Sequence, residues 1–219
     1  FITLTFANTY IPRMYVNNVN MVNTCVDAGS GEVLGEYIDI KDNTDEVTRA
    51  AYLFDTVPYL RKKDYQMFMD RLRDYLRRYC KDSGLEYEKI RYFVCGEYGP
   101  KHFRPHFHIL LFPESDLYTK VTEHTLSEFP EWTWSQRKDN PPKGTDKLSV
   151  CEYYIRKSWN YGIIDSDYTK GDCSSYVAGY VNSVGNLPRV FLQEFCRPFV
   201  AHSSFLGYKF CKAAREKVF

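Results

Sequence analysis

Two histidines two residues apart, in His106-Phe107-His108, are the sharpest chemical signal in this sequence. They sit inside an apolar run, His106 to Phe112, that reads as a strand. On a strand, residues two apart share a face, so both imidazoles project to one side while Phe107 and Ile109 face the other. Two neutral imidazoles side by side are natural ligands for a divalent cation. A second strand, Ile90 to Glu97, precedes the turn-rich loop Tyr98 to Pro105. Antiparallel pairing of the two strands places Glu97, at the loop end, close to both histidines. A hard carboxylate beside two imidazoles suits Mn²⁺ or Mg²⁺ better than a structural zinc, which prefers thiolates and a closed shell. An open coordination position then remains for a phosphate oxygen. Five histidines produce an H-x-H by chance on the order of one time in ten, so the weight rests on Glu97 and on Pro105 at the strand entrance. Cys95 reads as a buried thiol, not a ligand.

A second constellation is Tyr176-Val177-Ala178-Gly179-Tyr180-Val181. On a helix, positions i and i+4 share a face about 5–6 Å apart, so two phenols can address one site. A phenol with a pKa of about 10 is a poor nucleophile. It acts when a metal withdraws charge from the phosphate or a nearby cation favours the phenolate. Spacing alone proves little among 19 tyrosines: Tyr75 and Tyr79 repeat it, and helix packing accounts for them.

The elements that must position these groups follow from periodicity. Phe1 to Ala7 alternates apolar residues and Thr, as a strand does. Residues 8–31 are rich in Asn and poor in pattern and read as a long loop or insertion. Glu32 to Asp39 reads as a short hairpin element. The segment 62–81 is the clearest helix: Tyr65, Phe68, Met69, Leu72, Leu76, Tyr79 and Cys80 form an apolar stripe. Its other face carries Arg71, Arg73, Arg77, Arg78 and Lys81, and Ser83-Gly84 stops it. Residues 113–145 read as irregular, 146–162 as a helix, and Asp172 to Asn182 as a helix capped by Ser174 or Ser175. The order implies an α+β fold, a central antiparallel sheet with helices packed on one face.

At 219 residues the chain is expected to form one domain, 1–219, with 8–60 and 113–145 as insertions. A net charge of +1 excludes a uniformly basic nucleic-acid coat, so contact with DNA must come from local patches. Seven cysteines, an odd number without a C-x-x-C pair, point to reduced thiols in a cytoplasm rather than a disulfide scaffold. No apolar run approaches eighteen residues and no charged-then-apolar leader opens the chain, so no membrane contact is expected. Aromatics are abundant, which suits a sheet-rich core and also a surface that stacks unpaired bases.

Taken together, Arg104-Pro105-His106-Phe107-His108-Ile109-Leu110-Leu111-Phe112 and the downstream Tyr-Val-Ala-Gly-Tyr-Val resemble the replication initiators of microviruses, small single-stranded DNA phages that include the gokushovirus-like group. Phe1-Ile2-Thr3-Leu4-Thr5-Phe6, Leu60 to Phe68 and Gly96-Glu97-Tyr98-Gly99 extend the resemblance from residue 1 to about 185. It implies the His-hydrophobe-His (HUH) endonuclease fold, an RRM- or ferredoxin-like sandwich with the tyrosine helix laid across the metal-bearing sheet. It also implies rolling-circle replication: one tyrosine attacks an origin phosphodiester, leaving a 5′-phosphotyrosine and a free 3′-OH, and its partner acts when the circle is completed. By position, Tyr176 and Tyr180 are the implied nucleophiles, and Glu97, His106 and His108 the implied ligands of Mn²⁺ or Mg²⁺. Single-stranded origin DNA and the host replication machinery are the implied partners, in the cytoplasm of the host bacterium. This sequence has Gly179 between the tyrosines and Asn182-Ser183-Val184 after them, where a basic residue is often found; Lys157 and Lys170 are the substitutes at hand.

For DNA contact, the loop Lys101-His102-Phe103-Arg104 stands out because it flanks the expected metal, so Lys101 and Arg104 join Lys157 and Lys170 as candidates. The basic face of the 62–81 helix reads as an ordinary solvated surface. Two other readings compete: a transposase or relaxase of the same class with one tyrosine, and a non-catalytic module that binds single strands by stacking. A metal-stabilised structural protein is a blander third.

Overall fold

The computed structural model describes residues 1–38, 56–114, 116–133, 147–166, 179, 187–204 and 206. The expected α+β architecture is present: antiparallel sheets with two α-helices among the described residues. Five strands build the central sheet: β1 (Ile2–Phe6), β6 (Arg91–Tyr98), β7 (Pro105–Phe112), β10 (Gly162–Ser166) and β11 (Phe199–His202). Their order across it is β10-β1-β7-β6-β11. Register follows the alternation: Leu4 pairs with Phe107 and Ile2 with Ile109, while Phe107 and Ile109 also oppose Gly96 and Val94. One face is therefore Ile2, Leu4, Phe6, Val94, Phe107 and Ile109, every one of them buried.

That face is covered by α1 (Lys62–Asp82) and by α2 (Val150–Ser158) with the residues that follow it. The 3.6-residue stripe of α1 buries Tyr65, Phe68, Met69, Leu72, Leu76 and Cys80, as its spacing dictates. Tyr65 lies 6.0 Å from the Phe107 ring and Phe68 lies 6.3 Å from Trp159, edge-on. Trp159, just past α2, meets both Phe6 (5.0 Å) and Phe107 (6.1 Å). Capping fixes the start of α2: Ser149 accepts from the Glu152 N–H, and the Glu152 side chain accepts from the Ser149 N–H. The helix expected over 146–162 is thus shorter, because 147–149 belong to a strand and Trp159 is extended.

The segment 8–31, read as a loop or insertion, is instead largely sheet. A second sheet contains β2 (Arg13–Val19), β3 (Val22–Asp27), β4 (Val33–Ile38) and β5 (Val57–Pro58), in the order β4-β3-β2-β5. The pattern was misleading because β3 inverts it. Asn23, Cys25 and Asp27 are buried while Val22 and Val26 are only half-buried. The polar ones find hydrogen-bond donors, although the Asn23 amide nitrogen has no partner among the described residues. Asn23 accepts from Asn18 at 2.8 Å, and Asp27 accepts from the Gly29 and Ser30 amides at 2.9 and 2.6 Å and from the Tyr59 hydroxyl. The element expected over 32–39 is the strand β4. In 113–145, read as irregular, β8 (Val121–Thr125) pairs with β9 (Lys147–Ser149). Buried side chains from both larger sheets and α1 join in one cluster. The helix expected over 172–182 lies outside the described residues, Gly179 apart.

Candidate metal centre

The far face of the central sheet carries the chemistry. Glu97 pairs directly opposite His106, and Cys95 opposite His108, so the antiparallel hairpin sets the three expected ligands side by side on the face away from the helices. Glu97 Oε1 lies 2.8 Å from His106 Nε2 and 3.1 Å from His108 Nε2. The two imidazoles are 5.0 Å apart and nearly perpendicular. Glu97, His106 and His108 form the group of donors, among the described residues, whose ligand atoms all lie within 4.8 Å of one another. Two ligands at right angles on an ion with bonds of about 2.1 Å lie roughly 3 Å apart, so the observed separations suit one shared ion.

The chemistry of the donor set points the same way. His106 Nδ1 is 3.1 Å from the Arg104 carbonyl oxygen, which only accepts, so this nitrogen carries the proton. With Nδ1 so engaged, Nε2 faces a carboxylate that also only accepts. Such a contact needs a cation between the two, a proton or a metal. Burial opposes ionisation of Glu97, but hydrogen bonds and charge from His106 and His108 outweigh it and hold the carboxyl at about 2. Burial draws His108 below the ordinary imidazole value, against the opposing pull of Glu97. Burial, helped by the charge of Glu97, pushes the Cys95 thiol up to about 12, so it stays protonated and is no thiolate ligand.

Three expected ligands are thus brought together; the other expected site residues are dispersed. Lys101 is exposed in the loop beside the histidines. Arg104, by contrast, is turned back into the fold: its guanidinium donates to the Phe6 carbonyl at 2.6 Å and to the Asn8 side chain. Lys157 lies in the helix layer, 5.2 Å over the Tyr75 ring and 5.6 Å over Tyr153, on the opposite side of the sheet from the histidines. Lys170, Tyr176 and Tyr180 fall outside the described residues. The basic face of α1 is partly tied down. Arg71 donates to the Ser158 carbonyl at 2.9 Å and Arg73 to that of Ile90 at 3.2 Å, while Arg77 and Arg78 pair with Asp74.

Two residues near the site were missed by the sequence reading. Thr3 places Oγ1 3.2 Å from His108 Nδ1, and the Phe1 ring stacks on His108 at 5.7 Å. The polar half of the Phe1 to Ala7 alternation was the available signal, since Thr3 and Thr5 share the histidine face.

Comparison with known proteins matches the segment that contains this site. The family model for the replication-associated protein ORF2 matches residues 52–184, which includes both central strands of the hairpin and Glu97, His106 and His108. The chain is 32% identical over 123 residues to replication-associated protein VP4 of Bdellovibrio phage phiMH2K. That alignment covers 53% of this chain and 31% of the relative, so the chain spans about a third of that protein's length. No solved structure matches. The resemblance to microvirus rolling-circle replication initiators, read from the motifs, is supported by both matches. By the extent of the match, the chain belongs to the family of the replication-associated protein ORF2.

Proposed function

We propose that the chain is the nuclease of a rolling-circle replication system, nicking single-stranded DNA at an origin and rejoining it through a tyrosine ester. The observation that carries this reading is the convergence of Glu97 Oε1, His106 Nε2 and His108 Nε2 on one point of the sheet face away from the helices. Glu97, His106 and His108 would hold a divalent ion, Mn²⁺ or Mg²⁺, which when bound supplies positive charge to a phosphate oxygen at the scissile bond. The residues of the chain do the rest. The carboxylate and two imidazoles would hold that ion where the scissile phosphate must lie, and the loop lysine Lys101 neutralises backbone charge beside it. Tyr176 or Tyr180 attacks phosphorus; a tyrosyl O–P bond forms, the P–O3′ bond breaks, and the 3′-oxygen leaves as the primer hydroxyl once protonated. In the closing step a 3′-OH displaces the tyrosine, restoring the phosphodiester. Two tyrosines allow one DNA end to stay esterified while the other is cut.

The DNA substrate is proposed to be the origin strand, with host replication proteins as further partners in the bacterial cytoplasm. No described helix is long and apolar enough to cross a membrane.

The test is incubation with circular single-stranded origin DNA and Mn²⁺, then nuclease trimming and mass mapping of nucleotide-bearing peptides. The expected result is an adduct on Tyr176 or Tyr180 that disappears with EDTA and in His106→Ala. Strand transfer should fall in both Tyr176→Phe and Tyr180→Phe; if one is silent, the chain uses a single tyrosine. Tight binding that ignores EDTA, with no adduct, would leave a stacking-based binding module.

A further inference from the structure

Both proposed histidine ligands are held on their second nitrogen, and both holds lead back to β1. Thr3 pairs opposite His108 in the ladder and sets its hydroxyl 3.2 Å from His108 Nδ1. The Arg104 carbonyl accepts from His106 Nδ1 at 3.1 Å and also from the Gly99 N–H at 2.9 Å. Arg104 is itself latched to the end of β1 through the Phe6 carbonyl and the Asn8 side chain. A guanidinium fixed at two points holds the backbone of its own residue in place, and with it the carbonyl facing His106.

We propose that Thr3 and Arg104 are positioning residues for the metal, with β1 as the frame that orients both imidazoles. With Nδ1 protonated and bonded, each ring keeps a lone pair on Nε2 and cannot rotate away from Glu97. Arg104, expected from sequence to contact DNA phosphate, acts through His106 instead. This inference rests on the metal reading of the site but concerns different residues.

The test uses the full chain in mildly alkaline buffer saturated with Mg²⁺, a diamagnetic ion, where long-range ¹H–¹⁵N spectra report which nitrogen of each histidine bears hydrogen. The expected result is the Nδ1–H form for both His106 and His108. Thr3→Val keeps the β-branched shape but should free the ring of His108 alone, broadening its ring signals, and weaken Mn²⁺ binding, measured by calorimetry or electron paramagnetic resonance, by roughly tenfold. Thr3→Ser should restore both. Arg104→Gln should weaken Mn²⁺ by a similar factor while leaving single-stranded DNA affinity in EDTA unchanged. Nε2–H rings in the Mg²⁺-saturated protein, or Mn²⁺ affinity unchanged in Thr3→Val and Arg104→Gln, overturn the inference. An Arg104→Gln variant with normal Mn²⁺ affinity and a reduced salt dependence of DNA binding makes Arg104 a phosphate contact after all. Unaltered protein that binds neither Mg²⁺ nor Mn²⁺ overturns the metal reading itself.

Discussion

Glu97 decides what the site does at each pH. Its carboxyl is held at about 2, because the two histidines outweigh the effect of burial, so it is ionised wherever the protein works. The acid limit on metal binding therefore falls to His108, which burial keeps neutral to below its ordinary value of about 6.5. Mn²⁺ affinity should be level from mildly alkaline pH down to about 6.5 and fall only below it; a titration by calorimetry checks this. Glu97→Gln, nearly isosteric, should lose Mn²⁺ affinity by at least tenfold while the chain still folds. The carboxyl also links stability to pH. A folded pKa below the unfolded one stabilises the fold above the unfolded value, near 4.5, and that contribution is lost as pH falls toward about 2. Urea midpoints measured between those limits should fall less steeply in Glu97→Gln than in the unaltered protein. At this scale the sequence was most informative, since His106, His108 and Glu97 follow from strand period and antiparallel register alone. Thr3 and the latch of Arg104 did not, because they depend on which strand lies beside β7, and no local pattern encodes that.

Elements whose side chains alternate with burial could be recognised from sequence, and those that invert the rule could not. In β7 the period-2 signal is clear, and its central member Phe107 is fully buried among Phe6, Tyr65, Trp159 and Phe199. Phe107→Ala should cost about 3–5 kcal/mol of stability in chemical denaturation. In β3 buried positions fall to Asn23 and Asp27, whose partners come from Asn18, Ser30 and Tyr59, and Tyr59 lies far along the chain. The turn joining β2 to β3 hides as well. Asn20 and Met21 both have left-handed φ, +52° and +67°, the pair of positive values that a two-residue hairpin turn demands. Methionine is a poor choice there, and its side chain is exposed. Met21→Gly should therefore raise stability, by up to about 1 kcal/mol, where glycine in a strand ordinarily lowers it. Equilibrium unfolding measures it, and a loss of stability would show that the Met21 side chain contributes packing beyond its exposure. Gly162 shows the opposite constraint: a Cβ there would come within 2.1 Å of the Thr5 carbonyl oxygen across β1, so a side chain would push β10 from the sheet.

Across the whole molecule, the central sheet separates two tasks. Its helix-covered face packs Phe107 and its neighbours, and its other face gathers Glu97, His106 and His108. Because the ligands come from adjacent strands, an ion held among them would join β6 to β7 and tighten the same sheet that the helices support. Ligand that binds only the folded state stabilises it by about 2.7 kcal/mol at a hundred times its dissociation constant. For a chain of this size that amounts to a rise of roughly 5–10 °C in melting temperature. Adding Mn²⁺ at that excess should thus raise the midpoint, and EDTA should reverse the rise. In His106→Ala the rise should vanish, and the EDTA midpoint should fall because Glu97 loses a hydrogen-bond partner. Phe107→Ala should also melt lower in EDTA but retain a Mn²⁺-induced rise, because its contacts lie on the helix side of the sheet. A rise that survives in His106→Ala would place the stabilising ion elsewhere in the molecule and separate it from the three converging donors.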